Sequence, residues 1–128
     1  MIYAIKINLT ASNLTKKYYT WFFVFQYYDS LASTGRAYLN ILLRYLQDEA
    51  NDSNHPGFNA REWKLVTCDT ATTPQQNNGY DCGVFITMFA DFISEGIPLL
   101  NFSQSDIPMF REKICSHIIG GELSYSIG

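Results

Sequence analysis

The amino-acid sequence predicts an α+β fold, a small sheet packed against about three helices. Three observations carry this reading. Runs of alternating, β-branched and aromatic residues dominate the first part of the chain, and later segments carry apolar stripes at three- and four-residue spacing. The bulk composition is that of a globular protein, with 128 residues, 47% hydrophobic and only 16% charged. No internal repeat or low-complexity tract interrupts the pattern, so residues 1–128 read as one domain.

Residues 2–9 alternate, with Ile5, Ile7 and Leu9 set against Lys6 and Asn8, as in a half-buried strand. Thr10 to Lys17 are polar and interrupt it. Tyr18 to Tyr28 are aromatic and β-branched, which predicts a strand buried on both faces and closed by the turn chemistry of Asp29 and Ser30. Ser33 and Thr34 are candidate N-caps for a helix running to about Ala50, with Leu39, Leu42, Leu43 and Leu46 as its core face. Asn51 to Ala60, with Pro56 and Gly57, read as a surface loop. A short strand follows over Glu62 to Cys68, and then a long polar loop from Asp69 to Tyr80. From Cys82 the pattern is helical: Phe85, Met88, Phe89 and Phe92 form one stripe, ended by Gly96 and Pro98. Asp106 opens a last helix that tolerates Pro108 in its first turn. Its predicted inward residues are Phe110, Ile114, Cys115 and Ile118, and Gly120-Gly121 end it.

Composition excludes several functions. A net charge of −3 with scattered lysines and arginines gives no basic patch for nucleic acid or an anionic membrane. The first apolar run is short and broken by Lys6, unlike a secretory signal. The apolar stretch of 18–28 falls well below the roughly twenty residues a membrane-spanning helix needs. Cys68, Cys82 and Cys115 are odd in number and lack C-x-x-C spacing, which argues against a disulfide framework or a zinc site and for a reducing compartment. No metal or cofactor is predicted.

Chemistry concentrates in Pro74-Gln75-Gln76-Asn77-Asn78-Gly79-Tyr80-Asp81-Cys82-Gly83. Taken alone, Cys82 reads as a small buried hydrophobe, as most lone cysteines are. Its place where a polar loop enters a helix supports another reading, since the helix N-terminus favours negative charge and a thiol there ionises more easily. Four carboxamides precede it, each a neutral donor suited to a developing oxyanion. Asn78-Gly79 is a turn signal, and Gly83 leaves room for a substrate chain to pass close to the sulfur.

The whole string Pro-Gln-Gln-x-Asn-Gly-x-Asp-Cys-Gly resembles the active-site segment of the proteases that process SUMO and related ubiquitin-like modifiers, the sentrin-specific branch of the papain-like cysteine peptidases. The resemblance continues in Tyr27-Tyr28-Asp29-Ser30, in Arg44 to Glu49, in Trp63-Lys64-Leu65, in Asn101 to Gln104 and in Phe110 to Lys113, covering about residues 27–119. It implies the C-terminal portion of a papain-like fold and cleavage of SUMO or a related modifier from proteins, in the nucleus or cytoplasm. Cys82 would be the nucleophile, Gln76 an oxyanion donor, Asp29 the carboxylate orienting the base, and Asn78, Gly79 and Gly83 would line the substrate.

One position departs from the family. Its base is a His followed by Trp, and counting back from Asp29 without gaps puts Ser12 and Asn13 there. The chain's two histidines, His55 and His117, lie elsewhere in the pattern. Nothing in residues 1–26 resembles the family's upstream lobe. The expected object is therefore a fragment, a mis-joined product or a divergent relative, and a catalytically silent modifier-binding protein stays open as the alternative. Without that lobe, Tyr18 to Tyr28 are expected to expose apolar surface and to promote self-association.

Overall fold

Two parallel strands cannot be joined by a tight turn, and in this chain a helix makes the connection. The computed structural model describes residues 2–9 and 21–121, with side chains from Phe23 onward. Strand β1 (Ile2–Leu9), strand β2 (Trp21–Tyr28) and strand β3 (Trp63–Val66) form a sheet in the order β1-β2-β3. β2 and β3 run parallel, with Phe23 opposite Trp63 and Phe25 opposite Leu65. Helix α1 (Arg36–Asp52) is the crossover. The α+β prediction holds. Residues 18–20 of the predicted second strand lie outside the described residues, and the strand predicted over Glu62 to Cys68 is shorter at both ends.

The described residues divide into two compact units, 3–9, 21–27 and 34–67 in one, and 2, 28–33 and 68–121 in the other. In the first, the Trp63 ring stacks on Phe23 with centroids 4.8 Å apart and meets Phe25 at 4.5 Å. Val24, Phe25, Tyr27 and Leu39 are buried. Of the four leucines predicted to form the core face of α1, Leu39 is buried, and Leu42, Leu43 and Leu46 are half-buried. Neither Ser33 nor Thr34 caps this helix. The N-cap is Gly35, in the left-handed region at φ 67°, and a methyl group there would collide with the Tyr27 ring. Close approach of that ring requires glycine, so the helix starts later than side-chain capping predicts.

The second unit is built on helix α2 (Cys82–Ser94) and helix α3 (Ile107–Gly120). Phe85, Met88, Phe89 and Phe92 are buried as the stripe predicts, joined by Val84. Phe102, in the connector, is the hub of an aromatic cluster, with Phe85, Phe89, Phe92 and Phe110 at centroid distances of 5.0–5.9 Å. α2 stops in a Schellman arrangement: Gly96 takes φ 71°, Gly96 N–H donates to Ile93 O, and Ile97 N–H donates to Phe92 O. In α3, Ile107 and Phe110 are buried, but Cys115 and Ile118 are exposed, against expectation. The aromatic cluster's α3 member is Phe110, and the later turns of α3 outrun it.

Of the apolar run before Asp29, the side chains of 18–22 lie outside the described residues, and the later part departs from expectation. Val24, Phe25, Tyr27 and Tyr28 are buried within the chain itself, so they do not supply the exposed surface predicted for this run. Large exposed apolar residues are found instead on α1, at Tyr38, Ile41 and Tyr45, and on α3, at Ile118 and Ile119. No helix among the described residues is long and apolar enough to cross a membrane.

Candidate active site

Every candidate residue named from the sequence belongs to the second unit. Cys82 is the first residue of α2 and is exposed, not the buried hydrophobe of the blander reading. The start of the helix is fixed by Asp81, whose carbonyl accepts from the N–H groups of Val84 and Phe85 at 2.9 and 3.1 Å. The Cys82 sulfur therefore sits where the helix presents unpaired N–H groups and the positive end of its dipole.

Asp29 follows the end of β2 and is buried, 6% exposed. Its Oδ1 accepts the Leu31 N–H at 2.9 Å, an Asx turn that folds the chain back after the strand. Its carbonyl oxygen accepts from Gln75 Nε2 at 3.1 Å and from the Cys68 thiol at 3.5 Å. The same Gln75 amide donates to the carbonyls of Thr73 and Pro74, so of the four carboxamides this one fastens the loop to the strand end.

Gln76 is held at both ends. Its backbone N–H donates to Ser30 O at 2.9 Å. Its side-chain Oε1 accepts from the Ser30 hydroxyl at 2.5 Å, and its Nε2 donates to the carbonyl of Asn78. Asn78 builds the turn itself. Its Oδ1 accepts from the N–H groups of Tyr80 and Asp81, and its Nδ2 donates to Asp81 Oδ2 at 2.6 Å. A continuous set of hydrogen bonds thus runs from Ser30 through Gln76 and Asn78 to Asp81, the neighbour of Cys82. Gly79 and Gly83 lie on either side of Cys82 in the chain, and a side-chain carbon at either would meet nothing within 4 Å beyond its chain neighbours and, at Gly83, the backbone of its own helix.

Composition and spacing gave no reason to single out Asp81, Gln104 or Arg111. Asp81 is 4% exposed, and its carboxylate accepts from Gln104 Nε2 at 2.7 Å and from Arg111 at 2.5 and 3.2 Å. Arg111 also reaches the carbonyl of Tyr80. The hydrogen bond from Asn78, then those from Arg111 and Gln104, hold the carboxyl below the usual carboxylate range. An arginine on α3 and a glutamine in the connector thereby pin the turn that delivers Cys82. Their partners lie 23 and 30 residues away, beyond any local sequence pattern.

Both histidines are displaced from this arrangement in the chain. His55 is exposed in the first unit, just after α1, and His117 is half-buried near the end of α3. Ser12 and Asn13, where an ungapped count from Asp29 puts the base, lie outside the described residues. Among those described, no group of three or more His, Cys, Asp or Glu side chains could hold a metal ion.

Comparison with known proteins places this geometry in context. The pattern of the Ulp1 protease family, C-terminal catalytic domain, matches residues 4–121. The mouse protein named sentrin-specific protease 2 is 38% identical over 98 residues, 77% of this chain and 16% of its own length. The ubiquitin-like-specific protease ESD4 of Arabidopsis thaliana is 39% identical over 93 residues, 73% of this chain and 18% of its own. The sentrin-specific protease of Caenorhabditis elegans is 30% identical over 102 residues, 80% of this chain and 14% of its own. The chain therefore spans less than a fifth of the length of these three relatives.

Proposed function

This chain belongs to the Ulp1 protease family, and on that premise we propose that it is a cysteine-type peptidase or isopeptidase acting on SUMO or a related ubiquitin-like modifier and its conjugates. Residues 1–128 form part of such a catalytic domain. Cys82 attacks the carbonyl after the modifier's C-terminal glycines. The Gln76 carboxamide and the Cys82 backbone N–H receive the oxyanion, and Asp29 orients an imidazole. Asn78 shapes the turn, while the open space at Gly79 and Gly83 admits the modifier's extended tail. The observation that carries this reading is an exposed thiol at the first residue of α2, on a turn tied by hydrogen bonds to the strand end that bears Asp29. The reaction uses no metal or cofactor, and the setting is the nucleus or cytoplasm.

A second reading is favoured by one observation: counted back from Asp29 without gaps, the place of the family's His-Trp falls on Ser12 and Asn13. Loss of one member of a hydrolase triad typically removes about 10⁴ to 10⁶ in turnover. A silent modifier-binding protein would look the same from the Cys82 side. The experiment that separates the two is single-turnover labelling with SUMO carrying a C-terminal vinyl sulfone. An adduct mapped to Cys82 and lost in Cys82→Ser supports the live nucleophile. Saturable, reversible binding without an adduct supports the silent protein, and neither binding nor adduct refutes both.

A further inference from the structure

We infer that Ser30 is a positioning residue for the oxyanion donor: its hydroxyl fixes which end of the Gln76 carboxamide faces the Cys82 turn. The inference rests on the reading of Gln76 as that donor. A carboxamide has two ends of nearly equal shape and opposite polarity, and only the NH₂ end can stabilise an oxyanion. Here the two ends have partners of opposite kind. Oε1 accepts from Ser30 Oγ at 2.5 Å, while Nε2 donates to the Asn78 carbonyl, four residues before Cys82. The reversed amide would set a carbonyl oxygen against the Asn78 carbonyl. Nε2 carries a second hydrogen, which makes no other protein hydrogen bond among the described residues and which, on that reading of Gln76, meets the developing charge.

Ser30 is suited to this work by burial and by connection. It is 6% exposed, which shields the bond from competing water. Its own carbonyl accepts the Gln76 N–H at 2.9 Å, so one residue grips Gln76 by main chain and side chain. It also directly follows Asp29, which ties the orienting carboxylate and the oxyanion donor to one short segment. Without the hydroxyl, Oε1 loses its donor, the amide can rotate about its last torsion, and the flipped form would repel the oxyanion.

The test compares two reactions of the full chain at Cys82. In acylation by p-nitrophenyl acetate, the sulfur forms a bond to the carbonyl carbon through a tetrahedral oxyanion. The carbon–oxygen bond then breaks, p-nitrophenolate leaves with the electron pair, and the thiol proton passes to buffer. Alkylation by iodoacetamide displaces iodide and forms no oxyanion. Both rates are read at Cys82 by mass mapping after acid quench. Ser30→Ala is expected to lower the ratio of acylation to alkylation about tenfold and Gln76→Ala by about 10². The double variant should fall no lower than Gln76→Ala, and Ser30→Thr, which keeps the hydroxyl, should stay within about threefold of the unaltered chain. A ratio unchanged in Ser30→Ala but lowered in Gln76→Ala overturns the inference alone. A ratio unchanged in Gln76→Ala overturns the oxyanion reading and the inference with it. Equal loss of both rates in Ser30→Ala marks a merely structural role and also overturns it.

Discussion

At the scale of single residues, the Asp81 carboxylate is the anchor of the Cys82 turn. Asn78, Gln104 and Arg111 all donate to it. Because its folded pKa lies below the usual value, its contribution is present above the ordinary unfolded carboxylate value and lost as pH falls through the folded one. The acid limb thus opens below about pH 4. Asp81→Asn is expected to be less stable than the parent at neutral pH and to show a shallower loss of stability below that pH, measured by urea unfolding at successive pH values. A variant with the parent's acid limb intact would remove Asp81 from this role. Cys82 and Gln76 were legible in the sequence because they stand six residues apart in one unusual string. The Asp81 anchor was not, because two of its partners come from a connector and a helix far along the chain.

At the scale of elements, periodicity predicted α2 well and α1 less well, and the reason is local. The α2 stripe contributes Phe85, Met88, Phe89 and Phe92 to an aromatic cluster that buries all four. α1 keeps Leu39 buried but leaves Ile41 and Tyr45 in solvent. The start of α1 was misplaced because capping rules look for a hydroxyl or carboxylate. The helix instead starts from a glycine in the left-handed region beneath the Tyr27 ring. Gly35→Ala combines a disfavoured backbone with overpacking against that ring and is expected to cost about 2 to 4 kcal/mol in urea unfolding. A change under about 0.5 kcal/mol, the scale of an ordinary surface substitution, would contradict the account of that helix start.

For the whole chain, the α+β class and the family followed from strand runs, helix stripes and the cysteine motif. The location of exposed apolar surface did not. Aromatic density in 18–28 pointed to that run, but in its described part burial within the chain claims Val24, Phe25, Tyr27 and Tyr28, and sequence alone does not say which faces find partners. The exposed stripe Tyr38, Ile41 and Tyr45 follows the helical repeat along α1. Self-association through that stripe is expected as a concentration-dependent rise in sedimentation coefficient that Ile41→Lys with Tyr45→Lys abolishes. A monomer at every concentration would contradict it. The reactivity of the Cys82 sulfur is tested most directly by comparing thiols in the same molecule. Cys82 and Cys115 are both exposed, but only Cys82 sits at a helix N-terminus. Under limiting iodoacetamide at neutral pH, with peptide mapping, Cys82 should be alkylated several-fold faster than Cys115. Equal rates, or Cys115 first, would contradict the claim that the start of α2 makes Cys82 a nucleophile.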